Sequence, residues 1–135
     1  MTHEDAGHYA AKHPPGSEPN AAIAAEIEKK AKQGALSCPA AHAIAETLGV
    51  VPLEVGATMD LMEVRLVKCQ LGLFGYTPDK CIVTPAESVA PELETAIKAA
   101  TVDGRLACRN AWRVAADQGV KRMGLSAACE ALGLK

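Results

Sequence analysis

Apolar positions recur along this chain with a helical period, and they do so twice. Between Ala22 and Gln33, Ile23 and Ile27 lie one turn apart among Glu26, Glu28, Lys29, Lys30 and Lys32. That pattern predicts an amphipathic helix, closed by Gly34 in the left-handed position that follows a helix. Ser37 is placed to cap a second helix from about Pro39 to Leu48, with Ala41, Ile44, Ala45 and Leu48 on its inner face and Gly49 ending it. Pro52 opens a third, in which Leu53, Val55, Ala57, Met59, Leu61 and Met62 supply the apolar positions. After Val64 the period changes. Leu66 to Cys69 and Leu73 to Tyr76 read as extended, and Cys81-Ile82-Val83 is expected to pair with one of them across Thr77-Pro78-Asp79-Lys80 as a small β-hairpin. Thr84-Pro85-Ala86-Glu87 has the spacing of a capping box, and Pro91-Glu92 offers a second start for the helix that follows. Further helices are expected at about Pro91–Val102, Cys108–Gln118 and Arg122–Leu132.

These later helices repeat the earlier ones. Residues 15–65 align with residues 85–135 at a constant offset of 70, without a gap. Ile27, Gly34, Leu36, Cys38, Ala41, Ala45, Gly49, Val50 and Ala57 recur as Ile97, Gly104, Leu106, Cys108, Ala111, Ala115, Gly119, Val120 and Ala127. The shared positions are glycines and small or apolar residues, which build a fold. The differences fall at polar and charged positions, which set chemistry and partners.

Ala41, Ala45, Gly49-Val50 and Val55 are spaced as in a helix-turn-helix, where a small residue lets the second helix cross closely and the glycine takes the left-handed turn. Ala111, Ala115, Gly119, Val120 and Leu125 repeat the spacing. With a preceding helix and a following hairpin, the first copy resembles a winged-helix domain of the kind common in bacterial transcription regulators. The expected fold is therefore mostly α with a small β-hairpin, in two helix-turn-helix units. Residues 1–20, with Pro14, Pro15, Gly16 and Pro19, are read as a flexible arm, residues 21–84 as the first winged-helix-like repeat and residues 85–135 as a second repeat lacking a wing.

In winged-helix domains the third helix usually enters the major groove, with phosphate contacts from the flanks. The first copy would present Glu54, Thr58, Asp60 and Glu63 there, an acidic surface that repels phosphate, so it is read as structural or as a protein contact. The second copy places Arg105, Arg109 and Arg113 at intervals of four, with Lys121 and Arg122 before its third helix and Ser126 on it. The first copy has Ala35, Pro39, Ala43, Val51 and Pro52 at the five matched basic positions. By the resemblance, Arg109, Arg113, Lys121 and Arg122 would contact phosphate, with Ser126 and Arg105 nearer the bases. The competing reading is a solvated helix face on which Asp117 pairs with Arg113.

Net charge is −2 over 135 residues, so any contact with double-stranded DNA rests on a local stripe and not on a basic domain. Apolar residues make up 49%, enough to build a core with few aromatics. No run approaches the length of a membrane span, and Met1 to Pro19 has no apolar signal region, so a cytoplasmic protein with reduced thiols is expected. Five cysteines are an odd number, which excludes a complete intramolecular disulfide framework.

Cys38 and His42 lie four apart, a spacing that can ligate a metal, but Trp112 stands at the matched position of the second copy. Small buried thiols are the plainer reading of Cys38 and Cys108, and no metal or cofactor is expected. Cys69 and Cys81 flank the expected hairpin, and Cys129 matches Met59 and so is expected in the core. No phosphate loop, nucleophile elbow or zinc-protease helix is present, so the chain is not expected to be an enzyme. Three readings stay open: a DNA-binding regulator, for which a homodimer is plausible; a protein-interaction module on the same scaffold; and a cysteine-based metal or redox sensor.

Overall fold

The computed structural model describes residues 7–73 and 83–134. Within them the protein is mostly helical, with one small two-stranded parallel sheet. The chain forms two compact units, Met1–Cys69 and Gln70–Lys135. The first contains a short 3-10 helix at Tyr9–Lys12, then α1 (Ala21–Lys30), β1 (Ala35–Ser37), α2 (Cys38–Leu48), α3 (Pro52–Leu61) and β2 (Arg65–Val67). The second contains α4 (Pro91–Ala100), α5 (Cys108–Asp117) and α6 (Arg122–Ala131). The offset seen in the sequence carries into the elements: α1 and α4, and α3 and α6, have bounds 70 apart.

Local chemistry sets most of the helix ends. Asn20 caps α1 through Oδ1, which accepts from the backbone N–H groups of Ala22 and Ile23. Ser37 caps α2 and accepts from Ala40 at 3.3 Å, with Pro39 in the first turn. Gly49 ends α2 in the left-handed conformation, with its N–H and that of Val50 closing back onto Ala45 and Glu46.

Gly34 does something else. Helix α1 stops at Lys30, short of the expected Gln33, and Gly34 is the second central residue of a tight turn. Lys32 and Ala35 exchange both backbone hydrogen bonds across it, and Gln33 and Gly34 both have positive φ, 51° and 70°. The same turn recurs at Val102–Arg105 over Asp103 and Gly104. Two left-handed residues in succession make the I′ geometry that reverses a chain most sharply.

The sheet also differs from the expectation. Of the expected extended run from Leu66 to Cys69, Leu66 and Val67 are in β2, while Lys68 turns at φ 52°. Strand β2 pairs in parallel with β1, Ala35 opposite Arg65 and Ser37 opposite Val67. Parallel strands need a long crossover, and here α2 and α3 supply it. The other half of the expected hairpin, Phe74 to Ile82, lies outside the described residues.

The core of the first unit is Ile23, Ile27, Leu36, Ile44, Ala45, Val55 and Met59, drawn from all three helices and β1. In the second unit the matched Ile97, Val114, Ala115 and Leu125 are buried, with Ala111 and Ala128. Leu53, counted among the apolar positions of α3, points outward at 80% exposure.

The N-terminal segment from Gly7 is held onto α3, a contact that the sequence pattern does not announce. Glu63 accepts from the backbone N–H groups of Tyr9 and Ala10 at 3.0 and 2.9 Å, and Tyr9 is buried. Lys12 and His13 both reach Asp60 Oδ2, at 2.9 and 3.1 Å. Glu63 itself sits at φ 54°, where the matched residue of the second unit is Gly133 at φ 67°.

Candidate nucleic-acid interface and cavity

Helix α5 is divided lengthwise. Ala111, Val114 and Ala115 are buried, and Arg109 and Arg113 stand on the exposed side one turn apart. Arg105 lies in the turn before the helix and is exposed, as is Lys121, which occupies the N-cap position of α6. Among the described residues, none of Arg105, Arg109, Arg113 and Lys121 forms an ion pair, and no bridge joins Arg113 to Asp117. Four cations in water with no carboxylate partner are a surface open to an anion.

The other two predicted residues are placed differently. Arg122 lays its guanidinium over the ring of Trp112, 3.8 Å from the centroid, and donates to Oε1 of Gln70. Stacking and hydrogen bonding fix that plane in place and leave it less free than its neighbours. Ser126 is buried at 4% exposure and donates to the carbonyl of Arg122 one turn back. It is part of the packing of α6 and not of its surface. The outward positions of α6 are Met123 and Gly124 with Glu130 and Ala131, and the Ala127 carbonyl accepts from the N–H of Ala86 in the segment before α4.

The first unit holds a different feature. Between α2 and α3 lies a cavity of about 120 Å³, lined by Cys38 and His42 from α2, Gly56, Met59 and Asp60 from α3, and Leu66 from β2. Pro52 and Gly56 on its wall are exposed, so it opens to solvent. Asp60 is already engaged by Lys12 and His13. At the matched positions the second unit has Trp112 for His42, Ser126 for Gly56 and Cys129 for Met59.

The matched cysteines diverge. Cys38 is buried, as expected of a small core residue, and Cys108 is exposed. Cys129 is partly buried, and burial, with the Glu130 charge adding to it, pushes its thiol above the ordinary range. Cys69 is buried, and Cys81 lies outside the described residues. Among the described residues no group of three His, Cys, Asp or Glu side chains converges to hold a metal, and no helix is long and apolar enough to cross a membrane. No protein-family model, curated protein or solved structure matches the chain.

Proposed function

We propose that the chain is a non-enzymatic DNA-binding regulatory protein built on two helix-turn-helix units of winged-helix type, in which the second unit grips the phosphate backbone. The observation that carries this reading is the set of exposed cations without a described ion-pair partner: Arg105, Arg109, Arg113 and Lys121. The order of three helices in each unit and the left-handed glycine between the second and third, Gly49 and Gly119, support the scaffold. Arg122 joins the cations with its plane fixed by Trp112, and Ser126, being buried, has no part in the contact. The outward face of α6 offers few side-chain donors beyond Lys121 and Arg122, so the contact positions the protein on the duplex more than it reads base edges.

Fluorescence anisotropy with mixed genomic duplexes across a salt series tests this. Wild type should bind with an affinity that falls as salt rises, and R109E/R113E should lose binding. An affinity unchanged in the double variant would overturn the assignment.

A second reading rests on the first unit, where Val51 and Leu53 flank Pro52 as exposed apolar residues, 58% and 80% accessible, beside the acidic Glu54. That patch suits an apolar protein partner with a basic rim. A stoichiometric partner lost in L53D, with no affinity of the wild type for any duplex, would favour this reading over DNA.

A further inference from the structure

The cavity between α2 and α3 brings together a thiol, an imidazole and a thioether. Cys38, His42 and Met59 all line it, two of them one turn apart on α2 and the third buried on α3 across from them. We propose that this cavity is a binding site for a soft monovalent cation, Cu(I), with Cys38 Sγ, a ring nitrogen of His42 and Met59 Sδ as its ligands.

The chemistry of the donors chooses the metal. Thiolate and thioether ligands select Cu(I) over harder divalent ions, and Cu(I) accepts three ligands without a fourth. Zinc prefers four ligands drawn from thiolate, imidazole and carboxylate. The one carboxylate on the cavity wall, Asp60, is held by Lys12 and His13 and does not complete such a set. Among the described residues no three His, Cys, Asp or Glu side chains converge, and it is the methionine that supplies the third donor here.

Cys38, the first residue of α2, is buried on the cavity wall. On binding, the thiol releases its proton to solvent and the sulfur takes the metal in its place, so the ion enters as a neutral metal–thiolate unit in a largely apolar cavity. The exposed Pro52 and Gly56 mark the way in. The second unit serves as a built-in contrast. It keeps the cysteine as Cys108, but Trp112 and Cys129 replace the imidazole and the thioether, and the indole lies beneath Arg122.

The site is independent of DNA binding and is tested without it. In the full chain carrying C69A, C81A, C108A and C129A, Cys38 is the sole thiol. This protein, reduced and kept without oxygen, is titrated with Cu(I) against a chromophoric Cu(I) chelator. It should withdraw one equivalent, and H42Q and M59L should each weaken binding by at least about tenfold, the scale on which support of a metal site is felt. Failure to withdraw Cu(I), or wild-type affinity in either variant, overturns the three-donor site. Should circular dichroism show that the four-alanine protein does not fold, the wild type with ¹³C-methyl methionine answers the same question. The Met59 methyl resonance, assigned with M59L, should shift on the first equivalent of Ag(I), and an unmoved resonance overturns the proposal.

Discussion

Ile27 and Leu53 are aliphatic residues of similar size on helices of one unit, and their exposures are 0% and 80%. Ile27→Ala should therefore cost about 2–5 kcal/mol through lost burial and the cavity left behind. Leu53→Ser should stay within about 0.5 kcal/mol, and denaturant unfolding measures both. The thiols divide in the same way. Alkylation followed by mass spectrometry should label the exposed Cys108 before the buried Cys38 and Cys69. Cys129 adds a pH dependence, because burial raises its thiol in the folded state. A raised folded value means that the fold binds the proton more tightly, so stability is intact below the unfolded thiol value of about 8.5 and declines as pH rises through the folded value. C129A should lose less stability than wild type over that alkaline range. The hydrophobic period told Ile27 and Val55 from the polar positions around them, and both are core. It could not separate Leu53 from Val55, since neighbouring apolar residues on one short helix look alike until the packing surface is known. Ser126 shows the converse failure. A hydroxyl on a third helix reads as a surface donor, and here its carbonyl partner one turn back lets it sit inside.

Two glycines near the start of α6 should respond to alanine with opposite signs. Gly119 has φ 65° with open space around it, so Gly119→Ala meets no atom and costs about 1–2 kcal/mol through the left-handed backbone alone. Gly124 lies within the helix with nothing near an added Cβ, so Gly124→Ala should stabilise by up to about 1 kcal/mol. Thermal unfolding of the two variants reads both signs. At the end of α3, Glu63 occupies a left-handed position that the second unit gives to Gly133. A side chain in that conformation is strained, and the bonds from Tyr9 and Ala10 hold it there. Glu63→Gly should relieve the backbone and free the N-terminal segment, seen as faster hydrogen exchange at the Tyr9 and Ala10 amides. Helix order was legible because periodicity, Ser37, Pro39 and Gly49 all act within a few residues. The turn at Gly34 is not legible in the sequence, because a glycine after a polar stretch suits both a helix end and an I′ turn, and only the exchanged bonds of Lys32 and Ala35 distinguish them. The parallel pairing of β2 with β1 and the docking of Tyr9 join residues far apart in the chain, which no local pattern records.

Charge acts at the scale of the whole molecule, and here it is nearly balanced at −2. Association with a duplex would then draw on a few local cations, and the salt slope counts them. About −0.9 in log affinity per log salt is expected for each phosphate neutralised, so contacts from Arg105, Arg109, Arg113, Lys121 and Arg122 give a total near −4.5. Replacing any one by alanine should reduce the slope by roughly 0.9. A slope that does not change would remove that residue from the contact. The stripe was legible as arginines every four residues, and the two copies read side by side made it stand out. The cavity was half legible, in Cys38 and His42 one turn apart. From the sequence Met59 reads only as core, because its approach to them depends on how α3 crosses α2. The duplication has a consequence for biosynthesis. Two copies of one helical pattern on one chain can compete for partners while folding, since Ile27 and Ile97 are matched isoleucines, each fully buried in its own unit. The first unit draws its core from residues between Ile23 and Val64, all of them ahead of α4, which begins at Pro91. Emerging from the ribosome, it can close its core before its competitor exists, so the order of translation protects the pair from mispairing in a way that refolding from denaturant does not.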